Sequence, residues 1–274
     1  MRREICTGDS TLDDTPLLAS AARTFSPPAA LLRDRTDARH YVRLTLGLVS
    51  LLYLALGLAL ARLLPAWLLL VAVPLIYLRL ALALHELLHA ASAQEVPAFH
   101  RLTMILETPI GLGYREHRAI HFAHHRFAST DRDPERYQII GGPWRAFGMA
   151  MISPEHALAT WIRTHGLSRA LAVEMAIRCA AFVIVAAINP AAFLVYWFAL
   201  RLSVGFASFV FHHVLHSLDG HVGTFPLPVP HGVVRLAGIL FGREPLLILT
   251  EHERHHEWPR VRARDLPLLP APRA

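Results

Sequence analysis

Four short runs in this chain repeat histidine at helical spacing: His85-Glu86-Leu87-Leu88-His89, His121-Phe122-Ala123-His124-His125, His212-His213-Val214-Leu215-His216 and His252-Glu253-Arg254-His255-His256. Residues at i, i+3 and i+4 share one face of a helix. Each run can therefore aim two or three imidazoles at one point. The chain holds 18 histidines but only two cysteines, Cys6 and Cys179. That excludes a disulfide framework or a Cys-rich zinc module. An all-imidazole donor set suits Fe, Zn, Cu or Ni and disfavours Mg or Ca. Eight or more ligands exceed what one ion takes, since zinc usually takes four, so the count fits two metal ions.

The elements that must carry these runs are apolar. Hydrophobic residues make up 54% of the 274, and charged residues only 18%. That is too apolar for an ordinary soluble domain of this length and excludes a disordered chain. From Val42 to Leu84 the sequence is almost continuously apolar, with a break at Arg62–Pro65. A second block, Ala170–Phe211, breaks at Asn189-Pro190. Each half is about 20 residues, the length of a membrane-spanning helix. The expected fold is an all-α membrane protein with four transmembrane helices in two hairpins. Arg33, Arg35, Arg39 and Arg43 precede the first span, which puts the N-terminus in the cytoplasm by the positive-inside rule. Both later segments, residues 90–169 and the part after 216, then return to the same side, and so do all four histidine runs. The segment Ala98–Tyr114, interrupted by Pro109, Gly111 and Gly113, is expected to lie in the interface or dip in without crossing.

No secretory signal pattern is read at the start, and residues 1–40 are expected to be a flexible cytoplasmic segment, 41–268 the membrane domain and 269–274 a tail. The net charge of +6 comes entirely from arginine on the basic side. These arginines flank apolar runs rather than forming a basic stripe, so no nucleic-acid partner is expected. Glu174, Arg178 and Arg201 fall inside the second block, where charge is costly and faces the protein interior.

The runs and their flanks resemble the membrane fatty acid desaturase superfamily, whose three boxes read HxxxH, HxxHH and HxxHH. The flank His125-Arg126-Phe127-Ala128-Ser129-Thr130-Asp131-Arg132-Asp133-Pro134 is similar to the family's HHxxT…DP segment. Glu257-Trp258-Pro259 followed by Leu266-Pro267 is similar to its WP…LP tail. The resemblance covers residues 42–268. It implies a cytosolic helical cap holding a di-iron site, with His85, His89, His121, His124, His125, His252, His255 and His256 as ligands. His212 and His216 match a further family ligand group with four-residue spacing. His117 and His213 have no clear counterpart and are assigned to orienting ligand imidazoles. No catalytic residue beyond the metal ligands is implied. The implied chemistry uses O2 and two electrons on an unactivated C–H bond of a lipid or acyl chain. Two cysteines cannot build an iron–sulfur centre, so a separate ferredoxin, rubredoxin or reductase is implied. The compartment is a bilayer, with a bacterial inner membrane expected. An acyl desaturase is favoured over a hydroxylase or ketolase of a lipid or carotenoid.

Other classes use part of the same residues. His85-Glu86-Leu87-Leu88-His89 also matches HExxH, the zinc-protease signature with Glu as general base. Leu218-Asp219-Gly220 matches the downstream motif of intramembrane metalloproteases. That reading leaves His121, His124, His125, His252, His255 and His256 unused. A metal transporter would expect ligands along the spans rather than gathered at their ends.

Overall fold

A computed structural model describes residues 26–90, 108–227 and 229–270. Four helices are long and apolar enough to cross a membrane. Helix α1 (Arg35–Leu60) and α2 (Leu69–Ala90, led by a 3-10 turn at Ala66–Leu68) form the first hairpin. Helices α6 (Arg169–Ile188) and α7 (Pro190–Phe209) form the second. Between them lie α3 (Tyr114–Phe127), α4 (Pro143–Met151) and α5 (Ser153–His165). After α7 come a π-turn (Val210–Val214), a two-residue-stranded hairpin (β1 Ser217–Leu218, β2 His221–Val222), then α8 (His231–Phe241), α9 (Arg243–Thr250) and α10 (His252–Glu257). Each span has 20 or more residues, enough at about 1.5 Å per residue to cross a hydrocarbon layer of about 30 Å.

Both breaks fall where the sequence puts them, for local reasons. The first hairpin turns through Arg62, which takes the left-handed conformation (φ 61°) before Pro65. At the second, the Asn189 side chain accepts from Ala192 N, and Pro190 occupies the first helical position, where its missing N–H costs nothing. The core runs along α1, α2 and α7 through Tyr41, Leu52, Leu56, Leu69, Leu80, Tyr196 and Leu200. The outer surface is apolar instead of charged: Val183, Ile184, Ile188, Leu194 and Phe198 are all more than half exposed. An apolar belt around backbone-satisfied helices is what a bilayer requires.

Both arginines in the second block have partners. Arg178 is buried and donates to the carbonyls of Gly111 and Leu112, fixing the stretch 108–113 against α6. Arg201 pairs with Glu155 and ties α7 to the start of α5. The interfacial segment expected at 98–114 falls largely outside the described residues; its described part, 108–113, is irregular, and apart from Pro109 and Ile110 buried.

The N-terminal segment needs correction. Much of it, residues 1–25, lies outside the described residues, but 26–40 are not loose. Asp34 caps α1 by accepting from Thr36 N and Asp37 N, while Asp37 accepts from Asp34 N. This capping box starts the helix seven residues before the apolar run. Leu32 forms a β-bridge with Val261. The buried Arg33 guanidinium reaches both Glu86 of α2 and the carbonyl of Pro259. Hydropathy alone does not register these polar anchors.

Candidate metal centre

The ends of α2 and α7 meet α3 and α10, and this brings the histidine runs together. Along α2, His85 and His89 lie one turn apart. Helix α3 supplies His121, His124 and His125 from one face, and α10 supplies His252, His255 and His256. The imidazoles sort into two groups. In the first, the donor atoms of His85, His89, His121 and His125 lie within 4.8 Å of one another. The His255 ring joins them, with its centroid 4.7–4.8 Å from those of His85, His89 and His125. In the second, His124, His216 and His256 converge in the same way, and His252 Nε2 lies 3.1 Å from His216 Nε2. The two groups touch where His125 and His256 stack at 4.2 Å.

Hydrogen-bond chemistry shows what such a centre can hold. His124 Nδ1–H donates to both Asp133 carboxylate oxygens at 3.0 Å. His216 Nδ1–H donates to the Gly223 carbonyl at 2.8 Å. In the neutral form each ring then presents a bare lone pair on Nε2, and these two atoms face each other at 3.1 Å. Two acceptors at that distance repel unless a cation lies between them. In the first group, His125 and His255 have both ring nitrogens buried without a hydrogen-bond partner. Orphaned buried polar atoms are rare and call for an explanation. Burial first, and neighbouring imidazoles second, push the pKa of His121, His125, His216, His252, His255 and His256 downward. The rings are therefore neutral, the form that binds a metal. Nine converging imidazoles, six of them buried and His89, His125 and His256 half-buried, fit one or two metal ions.

His212 does not join them, although its spacing to His216 suggested one helical face. Regular helix ends at Phe209, and the π-turn Val210–Val214 shifts the register, leaving His216 in the turn beyond. His212 Nδ1 bonds the Ser208 carbonyl, and Nε2 bonds the Glu135 carboxylate. Both partners accept, so both nitrogens donate and no lone pair remains for a metal. Burial alone would raise the pKa of Glu135, but the charge and hydrogen bond of His212 outweigh it and hold it at about 2. His213 stacks on Phe209 and donates to the Ile139 carbonyl; it braces the loop after α3 instead of orienting a ligand ring. His117 lines the same cavity as the converging histidines, near Glu135 and His212.

Several residues were missed from sequence. Asp133, fully buried, aligns His124 and itself accepts from Ser129 N and Glu135 N. Its signal was the Asp133-Pro134 flank, read only as part of a resemblance. Glu135 and the Gly223 carbonyl gave no signal. Glu86, between His85 and His89 in sequence, faces Arg33 in a buried ion pair. Asp219 (φ 50°) and Gly220 (φ 81°) form the β1–β2 turn, and Asp219 is exposed; Asp-Gly is favoured there because both turn residues need positive φ.

A cavity of about 190 Å³ adjoins the histidines. Its walls combine His85, His121, His124, His125, His252 and His256 with Tyr77, Leu84, Val204, Ala207 and Phe211 from the spans. No protein-family model matches this chain, and no curated protein or solved structure is detectably similar to it.

Proposed function

We propose that the chain is an O2-dependent di-iron membrane oxidoreductase acting on a lipid or acyl chain, with fatty acyl desaturation as the favoured reaction. The observation that carries this reading is the division of nine converging imidazoles, buried or half-buried, into groups of five and four, in contact with each other and beside a cavity lined by span residues. Two irons held there would supply the O2-dependent removal of hydrogen from an unactivated C–H bond. The chain's own residues hold, orient and seclude. Helices α2, α3 and α10 fix the ligand spacing, while Asp133 and the Gly223 carbonyl set the tautomers of His124 and His216. Apolar walls keep water from the reacting carbon. Electrons come from a separate carrier, and the site faces the cytoplasm of a bacterial inner membrane.

Two observations favour this reading over a zinc protease. The Glu86 carboxylate is committed to Arg33 and is not placed as a base. Asp219 sits exposed in a hairpin turn, outside the histidine groups. The test is iron analysis of the purified protein combined with mass spectrometry of lipids from a host expressing it. Two irons per chain and a lipid that has lost two hydrogens are expected. Gain of one oxygen would identify a hydroxylase, and exchange of two hydrogens for one oxygen a ketolase. One zinc, no iron and a cleaved membrane peptide would refute the oxidoreductase reading.

A further inference from the structure

The cavity has a second polar surface that ligand histidines do not explain. Gln138, in the turn after α3, is 1% exposed and lines the cavity. Its Oε1 accepts from Ser208 Oγ of α7 at 2.6 Å. Ser208 Oγ also lies 3.4 Å from Ser153 Oγ, and both serines line the same space. The other end of the Gln138 amide has no hydrogen-bond partner among the described residues. Turning the amide over exchanges its oxygen and nitrogen, but one polar end of this cavity-lining residue is still left without a hydrogen bond. That end is open to a hydrogen bond from a bound molecule, and Val204, Ala207 and Phe211, which line the same space, offer it none. A plain hydrocarbon segment in this space would leave the amide unsatisfied.

Position adds the second half of the argument. Ser208 Oγ is 3.4 Å from His212 Nδ1, and the His212 ring lies 5.5 Å from that of the ligand His124. The polar station therefore stands about one imidazole from the second metal group. We propose that Gln138, supported by Ser208 and Ser153, hydrogen-bonds a substrate oxygen, so that the substrate is a lipid whose oxidised carbon lies within a few bonds of a hydroxyl or carbonyl group. This rests on the oxidoreductase reading and narrows it: an acyl chain attacked close to its own carbonyl fits, as does a lipid alcohol, whereas a remote mid-chain position does not.

Binding can be read without turnover, using the iron-loaded protein in detergent with three tritiated probes of equal chain length: cetyl alcohol, methyl palmitate and hexadecane. Cetyl alcohol, methyl palmitate or both should bind roughly tenfold tighter than hexadecane, since a neutral hydrogen bond contributes about 0.5–1.5 kcal/mol. Which one does so distinguishes hydroxyl from carbonyl. Gln138→Leu should bring the preference to within about twofold with iron content unchanged, and Ser208→Ala should lower it by a smaller factor. Should Gln138→Leu fail to fold, Ser208→Ala against the unaltered protein decides. Equal binding of all three probes, or a preference that survives in the variants, overturns the assignment. A host lipid modified far from any oxygen also overturns it while leaving the oxidoreductase reading intact. Iron-loaded protein that binds the alcohol or ester selectively yet modifies no lipid would refute the oxidoreductase reading instead.

Discussion

The two histidine groups are built on different principles. The first, His85, His89, His121, His125 and His255, has no carboxylate or carbonyl partner on any ring among the described residues; its imidazoles meet one another, the second group's His256, and apolar side chains such as Phe211 and Phe122. It is positioned by helix geometry. In the second, two rings are fixed from behind, His124 by Asp133 and His216 by Gly223. His216 needs this because it lies beyond the end of α7, in a turn that offers no rigid face. Backbone regularity and hydrogen-bonded support are thus alternative ways to hold a ligand, and each group uses the one its elements provide.

The largest effect should come from removing a ligand of the first group. His255→Ala is expected to abolish lipid oxidation and lower iron from two per chain toward one, measured by metal analysis with Mössbauer spectroscopy. Unchanged iron would remove His255 from the ligand set. Next, Asp133→Asn should weaken the second group selectively, by about 10–100-fold in metal affinity. A chelator titration would then show one iron leaving early and the other at its original concentration. Simultaneous loss of both would break the distinction between the groups.

Acid should act on both groups together in the metal-free protein. Imidazoles packed in the centre, such as His121, His125, His255 and His256, have depressed pKa values in the fold, whereas in the unfolded chain they titrate near 6.5. The unfolded state therefore binds more protons as pH falls through that value. The stability contributed by the neutral rings is present above about pH 6.5 and declines below it. Tm measured in detergent should fall from pH 7 to pH 5, and iron loading should reduce the decline. A flat profile would contradict the burial of neutral rings. The smallest effect on chemistry belongs to Glu86→Gln: Tm should fall because the buried Arg33 loses its counter-charge, but the folded protein should keep both irons and a substantial share of its activity, since Glu86 serves Arg33. Abolished activity with full metal content would restore a catalytic role for that carboxylate.

The same contrast explains what could be read from the sequence. Helices α2, α3 and α10 obey local periodicity, so the spacing of His85/His89, His121/His124/His125 and His252/His255/His256 reports their shared faces directly. The span breaks at Arg62–Pro65 and Asn189-Pro190 are likewise local. His212 and His216 share the same spacing but not the same fate, because a π-turn is a register change that carries no marker in residue type. Pairings such as His124–Asp133, Glu135–His212 and Arg33–Glu86 depend on which segments meet in three dimensions, and no periodicity encodes that.

The Arg33 anchor bears on how this protein can be handled. Its guanidinium bridges the end of α2 and the segment after α10, so the smallest unit able to assemble the centre begins before the first span. A trimmed version starting after residue 34 would keep all four spans and all nine converging imidazoles, yet strand the Glu86 carboxylate without its counter-charge, a loss of about 3–5 kcal/mol for a buried pair. Affinity tags and fusion partners therefore belong upstream of Ala29, with the Leu32–Val261 bridge left free to close.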